Sequence, residues 1–230
     1  MKKVIVIGSK PKIKIPNFKF QKIYTANGAA ERGFKLHSKI EKSELIAVVG
    51  GREYLGNPLV KKKIIIARPK KVYVRGAHLC EKDFYPLRCK IKNTWNHGQL
   101  QFQKNFFSFG YFSIFLAEFF YKKNFYEKII HIIKSLKNNN FWGISSGFYA
   151  ILLALHENPK SDIFVVGIGM SGGKQYYKNK RNQLLDYTPR SRVDRYLIKR
   201  LKKKYKIRIL TNDVELASLL NRRYQCNRFE

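Results

Sequence analysis

GISSGFYAILLALHENPKSDIFVVGIGMSGG, residues 143–173, joins two kinds of apolar run that together point to one fold class. Ser145, Ser146 and Gly147 stand ahead of Phe148 to Leu155, a run with too few polar positions to face water, which predicts a buried helix with a hydroxyl cap. His156 to Ser161 reads as the turn that closes it. The Ile-Phe-Val-Val that follows, ending at Val166, has the composition of a strand buried on both faces, and it exits into Gly167, Gly169, Gly172 and Gly173. Helix, turn, buried strand and glycine-rich exit make half of an α/β unit. The helix start offers unpaired backbone N–H groups and a positive dipole end, and the loop after the strand falls on the carboxyl edge, where open α/β sheets bind ligands. The active-site half is therefore expected here.

The amino-terminal part repeats the pattern. Val4 to Ile7, Ile23 to Ala26 and Leu45 to Val49 are short apolar strands ended by Gly8-Ser9, Asn27-Gly28 and Gly50-Gly51, with a helix expected between the second and third, through Leu36. Strand after strand ending in Gly or Asn is the rhythm of a parallel nucleotide-binding sheet. Ile64 to Ala67 and Val72 to Val74 read as further strands, extending the sheet or crossing to its far side. Residues 75–140 read as a lid or helical insertion. Its first part holds Pro86 and Thr94-Trp95-Asn96-His97-Gly98, its second the aromatic run Phe106 to Phe120 and a helix at Tyr126 to Leu136. The aromatic run is shorter than the roughly twenty residues a bilayer requires and is interrupted by Glu118. A buried helix hairpin is expected, with a membrane-surface element rimmed by Lys122, Lys123 and Lys128 as the alternative. Near the end, Ser191 to Asp194 resembles a capping box opening a helix with Val193, Tyr196, Leu197 and Leu201 on one face. Ile207 to Leu210 follows as a strand and Val214 to Leu220 as a helix. No repeat or low-complexity linker divides the chain, so residues 1–230 are expected to form one domain, a Rossmann-like parallel sheet flanked by helices.

Across 230 residues, 47 Lys and Arg oppose 15 Asp and Glu, a formal charge of +32 that calls for an anionic partner or setting. Cys80, Cys89 and Cys226 form no CxxC pair, which argues against a zinc site. Gly8 and Pro11 cut the first apolar run short of a signal-peptide core, so cytoplasmic residence is the expectation. Gly167, Gly169 and Gly172 satisfy G-x-G-x-x-G, with Asp194 about twenty residues on, where a dinucleotide enzyme places its acidic residue. However, the Lys-Gln-Tyr-Tyr-Lys that follows Gly173 is not the small apolar helix such a loop packs against. A Walker loop is excluded by Gln175 after Lys174, where a magnesium-binding hydroxyl belongs.

Taken in order, Gly8-Ser9-Lys10-Pro11, Asn27, Asn57-Pro58, Ser145-Ser146-Gly147, Val166-Gly167-Ile168, Tyr176-Tyr177 and Lys203-Lys204-Tyr205-Lys206-Ile207 resemble the compact bacterial sialyltransferases of glycosyltransferase family 42. The resemblance runs over nearly the whole chain and is most specific from Ser145 to Leu220. It implies a Rossmann-like fold with a lid and a CMP-activated sialic or related nonulosonic acid as donor. The implied acceptor is a surface glycan or glycolipid, as in lipopolysaccharide or capsule biosynthesis, and no metal or other cofactor is implied. By this resemblance Gly8, Ser9, Asn27, Asn57, Ser145, Ser146, Gly147, Gly169 and Ser171 occupy donor-binding positions, and Tyr176 or Tyr177 hydrogen-bonds the leaving phosphate. The chain departs from the family in four places. Ser9 stands where the family has Asn, Ser171 lies near the second phosphate tyrosine, Gly143 near an Arg, and Arg190 aligns with the general base, a His.

A guanidinium carries donors and no acceptor, so Arg190 suits a charge partner better than a base. His78 and His97, in the lid segment, are the expected substitutes. An anionic membrane surface suits the lysines, with peripheral placement at the inner membrane face. The competing class is a basic α/β protein that binds nucleotide or nucleic acid without chemistry; against it, the basic residues are spread along the chain.

Overall fold

Val4–Ile7 (β1) is apolar at every position and buried at every position, as a strand must be when both sheet faces are covered. In the computed structural model, which describes residues 3–40, 42–75, 104–120, 124–137, 144–170 and 189–221, it lies inside a wholly parallel sheet. The other strands are Lys22–Ala26 (β2), Glu44–Gly50 (β3), Lys71–Arg75 (β4), Ile163–Val166 (β5) and Ile209–Thr211 (β6). Their order across the sheet is β4-β3-β2-β1-β5-β6. The chain thus builds outward from β1 in one direction and then returns to its other side, with Ile5 opposite both Ile23 and Phe164. The expected Rossmann-like α/β architecture is the observed one.

Alternation along β2 divides the two faces. Ile23 and Thr25 point to the face covered by Ala30–His37 (α1), where a side chain at Gly33 would run into Thr25 and Leu45. Tyr24 points to the other face, covered by Ser146–Glu157 (α6), whose residues from Phe148 to Leu155 are all buried. The hydroxyls of Tyr24 and of Tyr73 on β4 each donate to Glu157 at 2.5 Å, tying the carboxyl end of α6 across the sheet. Burial, and then this carboxylate, push both phenol pKa values up. Residues 106–107 pack on α6, and Pro189–Lys199 (α7) reaches its amino end through Asp194 and Ser145. Phe107 packs on Phe148 and pairs with Leu201, and Val193 and Leu197 of α7 are buried.

Ile64 to Ala67 is not a strand. Gly51–Gly56 (α2) follows β3 directly, and Pro58–Ala67 (α3) is helical. The Asn57 side chain accepts from the Val60 amide at 3.3 Å with Pro58 in the first turn, and that cap outweighs the β preference of three isoleucines. Val60, Ile64 and Ala67 face inward at helical spacing while Ile65 and Ile66 are exposed. The aromatic run is not one helix either. Gly110, at φ 51°, separates residues 106–109 from Tyr111–Glu118 (α4), which packs with Phe125–Lys137 (α5) as a hairpin. That hairpin is only half buried. The helix expected from Ser191 begins at Pro189, a residue preorganised for a first turn, so Ser191 lies inside it and is buried. Ile207 stays exposed in the turn after Lys203–Lys206 (α8), and β6 begins only at Ile209. Val214–Leu219 (α9) is helical as expected. Among the described residues, no helix is long and apolar enough to cross a membrane.

Candidate functional site

β1 and β5 are neighbours whose chain connections leave their carboxyl ends in opposite directions. This is the topological switch point of the sheet. Gly8 donates from its amide to Val166 O at 2.8 Å, and Lys10 to Gly167 O at 3.1 Å, so the loops after β1 and β5 run against each other. A methyl group at Gly8 would stand 2.0 Å from the Gly167 carbonyl oxygen, and only glycine allows that approach. Gly167 itself sits at φ 68°, in the left-handed region. The Ile168 side chain caps this contact and also meets Gly147, which places the start of α6 over the same edge.

A second cluster forms at the ends of β2 and β3. Asn27, at φ 49°, opens a short 3-10 turn, and its side-chain oxygen accepts from the Gly50 amide at 3.0 Å. Space above Gly50 is bounded by Ser146 Oγ, 3.0 Å from where its methyl would be, and by Asn27 Oδ1 at 4.0 Å. Gly8, Asn27 and the Ser145–Gly147 helix start, picked out separately in the sequence as strand and helix punctuation, are thus assembled on one edge.

The helix start is itself braced. Ser145 Oγ accepts from Phe148 N at 3.1 Å as the cap, while the Ser145 amide donates to Asp194 Oδ1 at 2.9 Å. Asp194, on α7 and 1% exposed, puts a carboxylate behind the positive end of α6. The amides of Ser146 and Gly147 fall in the first turn of α6, where a helix has no backbone acceptor of its own. Their dipoles and the neighbouring hydroxyls are equipped to hold an anion. Asp194 was visible in the sequence as an acidic residue at dinucleotide spacing and as the end of a capping-box-like start, not as a brace for α6. Its pairing with Ser145 spans 49 positions and leaves no local signal.

The connection from β1 to β2 is a strap without a helix, and it is fixed on several sides. Lys10 pairs with Asp213, Arg32 donates to Lys10 O and Pro11 O at 2.5 and 2.7 Å, and Asn212 donates to Lys14 O at 2.7 Å. Between the strap and α1 lies a groove of about 830 Å³ whose charged lining, Lys12, Lys14, Arg32, Lys35 and Lys39, is all basic.

The remaining expected site residues divide as follows. Ser9 and Gly169 lie in the loops after β1 and β5, and Asn57 is engaged in capping α3 and in donating to Glu53 at 3.3 Å. Arg190 is in the first turn of α7, four residues before Asp194 and so on the same helix face; its side chain is outside the described residues. His78, His97, Ser171, Tyr176 and Tyr177 also lie outside the described residues, as does most of the segment expected to form the lid.

Compared with family models, curated proteins and solved structures, the chain matches none. Fold and site together define a Rossmann-like α/β protein with Gly8, Asn27 and a serine-capped helix start gathered at the carboxyl edge of its sheet.

Proposed function

We propose that the protein is a glycosyltransferase that moves sialic acid or a related nonulosonic acid from a CMP-activated donor to a surface glycan or glycolipid, working peripherally at the inner membrane face. The observation that carries this reading is the meeting of Gly8, Asn27 and the Ser145–Gly147 helix start beside the switch point, the donor-binding set implied by the family resemblance. In the reaction the acceptor oxygen attacks the anomeric carbon as the bond to CMP breaks, and its proton passes to a base. Negative charge grows on the departing phosphate, where the Ser146 and Gly147 amides, a tyrosine of the Tyr176-Tyr177 pair and Arg190 would stabilise it without a metal. The base is assigned to His78 or His97, since arginine cannot accept the proton. The basic groove beside the strap suits an acidic acceptor.

Isothermal calorimetry with CMP, AMP, GMP and UMP in the presence of a chelator tests the donor assignment. Preference for CMP is expected, and equal affinity for all four removes it. Weak, steeply salt-dependent binding of all four would favour the rival reading, a nucleotide- or nucleic-acid-binding protein without transferase activity. Arg190→Ala should weaken donor binding by about 1–3 kcal/mol. His78→Ala or His97→Ala should lower turnover and spare donor affinity.

A further inference from the structure

In the α4–α5 hairpin the inward positions are filled as a core requires: Ile114, Ala117 and Ile132 are buried. The outward positions are also apolar, and this is unusual. Along α5, Phe125, Ile129 and Ile133 recur every four residues as an exposed stripe beside Tyr126, with Phe125 67% and Ile133 58% exposed. Phe109, 68% exposed, and Phe112 add to the apolar surface from the α4 side. A face carrying this many large exposed apolar side chains marks an interaction surface.

Charge identifies what the surface fits. Ser108 donates to Arg200 O at 3.0 Å and Lys202 to Phe106 O at 2.9 Å, so the segment leading into Phe109 is hydrogen-bonded to residues 199–206. That segment, Lys-Arg-Leu-Lys-Lys-Lys-Tyr-Lys, carries six basic residues and no acidic one, and Ile207 beyond it is exposed. Lys128 stands on α5, with Glu127 as the acidic exception among its first residues. Phenylalanine, tyrosine and isoleucine rimmed by lysine is the chemistry of an amphipathic surface that enters the headgroup region of an anionic membrane. Two copies of a chain at +32 repel each other, which disfavours a second copy as the occupant.

We propose that the outer face of α4 and α5, with the basic segment at residues 199–206, seats the protein on an anionic lipid bilayer. This deepens the peripheral placement proposed above by naming its surface.

Sedimentation with phosphatidylcholine vesicles, and with vesicles also containing phosphatidylglycerol, tests it on the full chain. Binding to the anionic vesicles alone is expected, weakening as salt rises. Phe125→Asp with Ile133→Asp, both exposed positions, should weaken it at least about tenfold, and Lys203→Glu with Lys204→Glu should weaken it about as much. Circular dichroism and CMP calorimetry on the same variants separate this result from the transferase reading: CMP affinity should be unchanged, and loss of CMP binding in the parent would not affect the vesicle result. The proposal is overturned by no binding to anionic vesicles at low salt, by binding that the α5 substitutions leave intact, or by a dimer in light scattering that those substitutions disperse. Retention on single-stranded nucleic acid that the α5 substitutions abolish would assign the face to that partner and also overturn it.

Discussion

Asn27 performs two tasks that substitution can separate. Its backbone turns at φ 49°, and its side-chain oxygen accepts from the buried Gly50 amide, linking the carboxyl ends of β2 and β3. Replacement by Gly keeps the turn and removes the acceptor, leaving the Gly50 amide without its bond at a cost of about 1–3 kcal/mol. Replacement by Ala removes the acceptor and also forces a β-carbon into the left-handed region, about 1 kcal/mol more. Replacement by Asp keeps the acceptor and tolerates the turn, so its stability should stay within about 0.5 kcal/mol of the parent. The expected order of stability is parent and Asp, then Gly, then Ala, read from urea midpoints with unchanged slopes. If Gly and Ala both unfold at the parent midpoint, the Asn27–Gly50 link carries no stability, and the account of how this edge is held is wrong. Asn27→Asp adds a further readout, since a folded variant with a carboxylate on the edge assigned to the donor should bind CMP more weakly than the parent.

Three further expectations follow from the same edge and its surroundings. Gly8→Ala drives a methyl into the Gly167 carbonyl and should leave little folded protein on size-exclusion chromatography, whereas Gly56→Ala, with nothing within 4 Å, should be neutral or stabilising by about 0.4–1 kcal/mol. Asp194→Ala removes the carboxylate behind α6 and should cost about 1.5–3 kcal/mol in thermal or urea unfolding together with CMP affinity, while Asp194→Asn, which retains an acceptor, should cost less. The Glu31 carboxyl is held below its ordinary range chiefly by its hydrogen bond from Lys63, and Glu44 likewise by Lys70. In acid the unfolded chain therefore binds more protons, so the stability these pairs contribute is complete above about pH 4.3 and is lost as pH falls through the lowered folded values. Lys63→Met should make the acid limb of the urea midpoint against pH shallower; an unchanged limb would remove Glu31 from the account.

Where the chain announced its fold, it did so through punctuation. Val4 to Ile7, Leu45 to Val49 and the strand ending at Val166 are apolar runs too short for helices, each stopped by glycine, and nothing but a doubly covered strand fits them. Gly8, Asn27 and Ser145–Gly147 were legible for the same reason, each being a residue type with a special backbone or capping role. Ile64-Ile65-Ile66 misled because a β-branched run looks the same in a strand and in a helix; the deciding residue, Asn57, is seven positions upstream of Ile64. Partners far apart in the chain, such as Asp194 with Ser145 and Lys10 with Asp213, were invisible because a hydrogen bond or ion pair between distant residues has no periodicity to detect.

The position of β1 also sets a timetable for synthesis. Its two neighbours are β2, made almost at once, and β5, made only after most of the chain, since Val4 pairs with both Lys22 and Ile163. At ordinary translation rates β1 waits on the order of ten seconds or more with one edge bare. Through that interval Val4 to Ile7 is an unpaired, wholly apolar strand edge, the kind that recruits other nascent chains. A truncation ending before Ile163 fixes that interval permanently, so fragments that stop short of β5 should aggregate even though they contain four of the six strands of the sheet.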